Sequence, residues 1–274
     1  MCHGPKNRPN YWYVLSTFVL EELSKMFIGA NSGVGYAMSR VFAQAPTGFH
    51  IIMACRSLDN ANVAKSEIEQ EPATKNTLST VHLDVTDHES ISQAASTVEQ
   101  QFGRLDVLIN NAGVSGLDAV DNTARRMRLC LETNVIGPKI VSETFRPLLL
   151  KSPNPYSIYV TSGVGSLTLA ADPNSPTYRG PKKGEAYRSS KSALNMVALQ
   201  EWAEVQDESH PLKIFMMCPG FVRSNLRGRS EEARSGWGKA GDAEVAGHTA
   251  LSIVEGKRDA DMGRVVHKDG VYPW

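Results

Sequence analysis

The stretch "FIGANSGVGYA", residues 27–37, decides how the rest of the chain is read. Gly29, Gly33 and Gly35 form G-x-x-x-G-x-G, and Val34 to Gln44 continues as a helix. Glycines at this spacing let the backbone turn tightly and approach a bound group closely. The start of the helix adds free N–H groups and a partial positive charge. An apolar strand, a glycine turn and a helix in this order make a cradle for a phosphate group. Its lining would be Gly29, Asn31, Ser32, Gly33, Val34 and Gly35.

Beyond residue 28 the apolar pattern alternates between short strand-like runs and longer helical ones, with turn residues at the joins. "FHIIMAC", "STVHLDV", "DVLINNAG", "YSIYVTS", "LKIFMMCPG" and "GRVVHKDG" read as strands. "NANVAKSEIEQ", "HESISQAASTVEQQF", "TARRMRLCLETNVIGPKIVSETFRPLLL" and "EAYRSSKSALNMVALQEWAEV" read as helices. Nearly continuous apolar strands alternating with helices imply a Rossmann-type, doubly wound α/β fold. Its seven-stranded, mainly parallel sheet would be covered by helices on both faces. The expected organisation is an atypical N-terminal segment, residues 1–26, followed by one catalytic domain, residues 27–274.

The chain's 29 basic and 29 acidic side chains balance, which removes net charge as a drive toward nucleic acid or an anionic membrane. A small-molecule partner is expected. Cys2, Cys55, Cys130 and Cys218 have neither C-x-x-C spacing nor the clustering of a disulfide framework, which reads as a reducing, cytoplasmic setting. The apolar run "YWYVLSTFVL", Tyr11 to Leu20, is too short to span a bilayer and is followed by two glutamates. No group of His, Cys, Asp or Glu has metal-ligand spacing, so no metal is expected.

Two further stretches carry chemistry. In "ACRS", Arg56 lies 21 residues past the last glycine, where a dinucleotide site meets the adenosine ribose. An acidic side chain there would favour NAD; a guanidinium followed by a hydroxyl suits a 2′-phosphate, and so NADP(H). In "AYRSSKSALNM", Tyr187 and Lys191 stand at i and i+4 on one helix face. A phenol ordinarily ionises near pH ~10, and a lysine cation close by lowers that value.

With Ser162 in "VTSGVGS" and the strand end "NNAG", these residues resemble the short-chain dehydrogenase/reductase family. The resemblance runs from residue 27 to the C-terminus. It is narrower still for carbonyl-reductase-like fungal and plant members, through "SGVGSLTLAADPNSPTY", "CPGFVRSNL" and "VHKDGVYPW". It implies that Tyr187 is the general acid, that Lys191 holds the nicotinamide ribose and tunes the phenol, and that Ser162 bonds the substrate oxygen. Asn134, in "LETNVIGP", matches an asparagine of the family's proton relay, although stitching a helix to a strand would equally occupy a buried amide. Asp84 and Val85 would lie near the adenine, and Asn111, Ala112 and Gly113 would line the cofactor cleft. Pro219, Gly220, Val222 and Ser224 would pass the nicotinamide end. The implied activity is NADPH-dependent reduction of a ketone or aldehyde, or its reverse, and a tailoring step in secondary-metabolite biosynthesis fits the fungal likeness. The pocket would be lined by Val164 to Tyr178 and the segment after Phe221. The 25 positions between Ser162 and Tyr187 favour a monomer over the homo-oligomers of other members.

The match departs from the family pattern at the start. Only Met26, Phe27 and Ile28 form an uninterrupted apolar run, and Ile28 stands where the family has a threonine whose hydroxyl ties the turn to the "NNAG" strand. A lost buried hydrogen bond costs ~0.5 to 1.5 kcal/mol, so cofactor affinity should suffer first. This motivates a second reading, a catalytically weak relative that binds nucleotide and acts through protein contacts. The complete set of Ser162, Tyr187, Lys191 and Asn134 argues for the enzyme.

Overall fold

The computed structural model describes residues 22–117, 122–178, 180, 183–206 and 212–274. Residues 1–21 of the atypical N-terminal segment lie outside them. The chain begins with β1 (Leu23–Ile28), α1 (Gly33–Gln44), β2 (Phe49–Cys55), α2 (Leu58–Glu69), β3 (Thr77–His82), α3 (His88–Phe102) and β4 (Val107–Asn110). After these come α4 (Thr123–Leu131), α5 (Gly137–Leu149), β5 (Tyr156–Val160), α6 (Leu167–Ala171), α7 (Glu185–Val205) and β6 (Lys213–Met217). The chain closes with α8 (Glu231–Arg234), α9 (Glu244–Val254), β7 (Val265–His267) and β8 (Gly270–Tyr272).

The strands form one sheet in the order β3-β2-β1-β4-β5-β6-β7-β8, parallel up to β7. The order reverses direction between β1 and β4, the switch point beyond which open α/β sheets bind ligands. Alternate strand residues feed two cores, as a period of two requires. Met26, Ile52, Leu108 and Ile214 pack with α3, α5 and α7 through Ile91, Phe145 and Leu194. Phe27, Met53, Ile109 and Phe215 pack with α1, α2 and α9 through Phe42, Ile68 and Ile253.

Three features differ from the sequence expectation. The sheet has eight strands rather than seven, because Val265–His267 turns back into antiparallel β8. The single helix expected over "TARRMRLCLETNVIGPKIVSETFRPLLL" is broken by a π-helical turn, Glu132–Ile136, between α4 and α5. The first strand starts at Leu23, within the stretch assigned to the N-terminal segment. Its polar residues are buried with partners: the Ser24 N–H donates to Asp106 Oδ2 at 2.8 Å and its hydroxyl to Arg104 O at 3.1 Å.

Lys25 is only 2% exposed, with its Nζ 5.2 Å from the Phe49 ring centroid. Burial lowers its pKa to about 8, with Asp106 pulling the other way. The unfolded chain therefore binds more protons between about pH 8 and the ordinary value of 10.5, and below 8 the folded state carries the full cost of the buried charge. Lys25→Met should stabilise the protein at pH 7 by about 1–3 kcal/mol. The gain should shrink as pH rises from 8 to 10.5, as read by urea denaturation at each pH. A gain that does not change with pH would mean that packing, not charge, limits this position.

Candidate active site

The glycine turn leaves β1 at the carboxyl edge of the sheet. Gly29 has φ +75°, in the left-handed region that disfavours side chains. A Cβ on Gly35 would stand 2.2 Å from Gly29 O, so the helix packs onto the turn with no room for one. Ser32 caps α1 without a side-chain hydrogen bond, which leaves the first-turn N–H groups of Gly33, Val34 and Gly35 without a side-chain acceptor. Deeper in the turn, the Ala30 and Asn31 N–H groups go to the Cys55 sulfur, whose pKa burial raises to about 11. A closely packed glycine turn opening onto an uncapped helix start fits a pyrophosphate.

Ile28 does not leave this turn untied. The Asn111 side-chain amide donates to Ile28 O and Gly29 O, both at 3.1 Å, and so supplies the cross-strand tie through the main chain. The Ile28 side chain is 1% exposed and packs in the core with Ile52, Ala54 and Leu108. The turn is thus tied to the end of β4 without a hydroxyl at position 28. Replacing Ile28 by Thr removes apolar contact and buries a hydroxyl, so the variant should be less stable by about 1–3 kcal/mol. Thermal denaturation and calorimetric titration with NADPH check this; tighter cofactor binding in Ile28→Thr would restore the missing-hydroxyl account.

At the ribose end, Arg56 is exposed at the tip of β2, and Ser57 caps α2, its hydroxyl accepting from Asn60 N. Burial alone would raise the Asp84 carboxyl, but the Thr86 N–H and hydroxyl, with Arg56 nearby, bring it below its ordinary value. Those two bonds measure 2.9 and 2.8 Å. Val85 is buried behind them, and a Cβ on Gly137 would meet Val85 O at 2.6 Å. A Cβ on Gly29 would come within 3.1 Å of Ala112 Cα, so the "NNAG" strand end seals the turn from the side.

The catalytic candidates converge at the ends of β5 and α7. Lys191, 4% exposed, donates from Nζ to Val160 O at 2.8 Å and lies 5.6 Å from the Tyr187 ring centroid. A Cβ on Gly165 would stand 2.9 Å from the Lys191 carbonyl carbon, and one on Gly113 would stand 3.8 Å from its Nζ. Burial lowers Lys191 to about 8. Burial also pushes the Tyr187 phenol above its ordinary value, with the Ser162 hydroxyl pulling the other way. Burial thus sets the direction of the Tyr187 shift, opposite to the lowering that a neighbouring lysine cation brings. Ser162 extends from the end of β5, its Oγ accepting from Val164 N at 3.4 Å.

Asn134 sits fully buried in the π-helical turn. Its Oδ1 accepts from Val114 N at 2.8 Å, while its Nδ2 donates to Val114 O at 2.8 Å and Ser190 Oγ at 2.9 Å. Ser190 in turn donates to Tyr187 O at 2.8 Å. The side chain thus braces α7 at the turn that carries the tyrosine.

After β6, Gly220 takes a positive φ of 84°, Val222 is buried, and Ser224 lies against Gly33, 3.4 Å from a Cβ built there. Pro219, Gly220, Val222 and Ser224 therefore run from the catalytic end toward the glycine turn. Sequence reasoning missed Cys218, whose sulfur accepts from Gly163 N at 3.2 Å. It also missed Tyr272 of β8, whose ring packs against Gly163. Among the described residues no group of His, Cys, Asp or Glu could hold a metal, and no helix is long and apolar enough to cross a membrane.

The order of glycine turn, "NNAG", serine, tyrosine and lysine around one sheet edge agrees with a short chain dehydrogenase family model that matches residues 26–235. This chain belongs to the short-chain dehydrogenase/reductase family. It is 35% identical over 252 residues to the short-chain dehydrogenase/reductase tropE of Talaromyces stipitatus, covering 88% of this chain and 94% of that one. It is 34% identical over 271 residues to the short-chain dehydrogenase/reductase eupG of a Phoma species, covering 91% and 96%. Among solved structures, the NADPH-bound carbonyl reductase from chicken fatty liver superposes with a TM-score of 0.76 at 25% identity, covering 93% of this chain and all of that one. The protein is an oxidoreductase of CH–OH and C=O groups that uses a nicotinamide cofactor.

Proposed function

We propose that the protein is an NADPH-dependent reductase of a ketone or aldehyde, able to run in reverse. The observation that carries this is the pairing of the half-buried Tyr187, whose phenol is raised above its ordinary value and so stays neutral near pH 7, with the buried Lys191 ammonium at the end of β5. A proton donor for a carbonyl oxygen must be protonated at working pH, and this phenol is. Lys191, brought to about 8, remains largely a cation at pH 7 and offsets negative charge on the phenolate left after proton transfer. Ser162 orients the carbonyl oxygen by donating to it.

The cofactor would be held by Gly29, Asn31, Ser32, Gly33, Val34 and Gly35 at the pyrophosphate, with Arg56 at the 2′-phosphate and Asp84 and Val85 beside the adenine. Asn111, Ala112 and Gly113 would line its cleft, with Lys191 at the second ribose and Pro219, Gly220, Val222 and Ser224 at the nicotinamide. When bound in reduced form it supplies a hydride equivalent. Leu167, Tyr178, Phe221 and Trp274 expose large apolar surfaces on segments that leave β5, β6 and β8. Such walls suit a bulky carbonyl compound, and the fungal relatives support a tailoring step in secondary metabolism, carried out by a monomer in the cytoplasm. The binding-only reading rested on Ile28 and on the unusual N-terminus; the Asn111 ties speak against the first of these grounds.

Tyr187→Phe keeps the ring's packing and deletes the proton. NADPH binding should persist while turnover falls by about 10² or more, the scale of lost general-acid catalysis. Stopped assays at the nicotinamide absorbance check this, and turnover near that of the parent protein would refute the role of Tyr187.

Arg56→Asp exchanges attraction to the 2′-phosphate for repulsion. The ratio of NADPH to NADH efficiency should fall at least about tenfold. An unmoved ratio would make Arg56 a surface residue.

A further inference from the structure

At the amino ends of the strands, on the face that α1 and α9 cover, the sheet borders a cavity of about 290 Å³. Phe49, Tyr156 and Val254 give it apolar walls, and Lys25 lines it among them. β1 is paired on both edges, by β2 and β4, so what Lys25 presents to the cavity is its side chain. The residue is 2% exposed, and among the described residues its ammonium has no hydrogen bond and no ion pair. The contact it does make is with the Phe49 ring.

The carboxylates around the cavity are already matched. Asp106 accepts from Ser24 N and Ser24 Oγ through Oδ2, and from Ser152 Oγ at 2.6 Å through Oδ1. It also pairs with Arg104 at 3.2 Å. Glu255 pairs with Lys257 at 2.5 Å, and behind Tyr156 the Lys213 ammonium pairs with Asp259 at 2.6 Å. Each of these anions has a cation of its own, which leaves Lys25 without a counter-ion among the described residues. Its pKa of about 8, set by burial against the pull of Asp106, keeps the amine mainly charged at pH 7. A buried charge is costly until it is paired. The partner that this arrangement lacks is an anion entering from the cavity.

The cofactor cannot supply that anion. Phe27 meets Phe42 edge-on, with ring centroids 5.0 Å apart, and fills the same sheet face between Lys25 and the glycine turn. Ser162 follows Tyr156 by six residues, and a strand rises ~3.3 Å per residue. The carbonyl site therefore stands about 20 Å away, at the opposite edge of the sheet.

We propose that this cavity binds a small monocarboxylate with an apolar body, its carboxylate on Lys25 and its body against Phe49, Tyr156 and Val254. Its volume lies near the lower end for ligand pockets and suits a body of about one ring. A second charge on the ligand would fall among the apolar walls, which selects against dicarboxylates. The site stands or falls independently of the reductase reading, because none of its residues belongs to the catalytic end.

Benzoate is the probe and benzamide its neutral counterpart, each titrated by calorimetry into the parent protein at pH 7, with and without saturating NADP. Benzoate should bind with a dissociation constant of about a millimolar or tighter, and benzamide at least about tenfold more weakly. NADP should leave the benzoate affinity unchanged, since the two sites share no residue. Lys25→Met, expected to be the more stable protein, should weaken benzoate binding at least about tenfold. None of these readouts needs turnover, so an absence of carbonyl reduction would count against the reductase reading alone. No benzoate binding in the parent, equal binding of benzamide, or binding that survives Lys25→Met would each overturn the proposal. Displacement of benzoate by NADP would also overturn it, by placing the anion in the cofactor cleft.

Discussion

The bond from Lys191 Nζ to Val160 O is the constraint on which the site depends. A buried ammonium has few stable positions, and a main-chain carbonyl at a strand end is a fixed one. Tying it there sets the register of α7 against β5. Tyr187 then stands one helical turn before the lysine, and Ser162 two residues beyond the tethering carbonyl. Other contacts repeat the same restraint: Thr161 Oγ1 donates to Asn195 Oδ1 at 2.6 Å, and Ser192 Oγ donates to Gly165 O at 2.7 Å. The catalytic candidates therefore sit on a helix and a strand end that cannot slide independently.

A second tie works in the same way at the cofactor end. Asn111 holds the carbonyls of Ile28 and Gly29, so the glycine turn is fastened to the end of β4 whatever side chain precedes the first glycine. Main-chain carbonyls are present at every position, so moving the donor to Asn111 frees position 28 to serve the core. Asn134 extends the scheme by joining the segment after β4 to α7. The glycine turn, the "NNAG" strand end and the tyrosine helix are thus linked side by side through buried amides.

Elements with a strong local signal were legible in the sequence. The runs of β2, β4, β5 and β6 are mainly apolar because helices cover both faces, and α7 follows its sequence pattern from Glu185 to Val205. The first half of β1 was hidden because Ser24 and Lys25 look like loop residues. The group that satisfies Ser24 is Asp106, 82 positions away. Strand β8 is three residues long and exists by pairing with β7. The π-helical turn leaves the apolar pattern on either side intact. Glycine, serine, tyrosine and lysine positions could be read because each chemistry needs one residue type at one spacing.

The central claim is that this constellation moves hydrogen from a nicotinamide to a carbonyl carbon. Incubation with NADPH deuterated at the transferable position of nicotinamide C4, together with a panel of aromatic and aliphatic ketones and aldehydes, tests it by mass spectrometry of the alcohols. The account predicts one deuterium at the carbinol carbon of at least one product, with one stereochemistry at the new centre. Tight NADPH binding with no deuterium in any product would contradict it and return the chain to the binding-only reading.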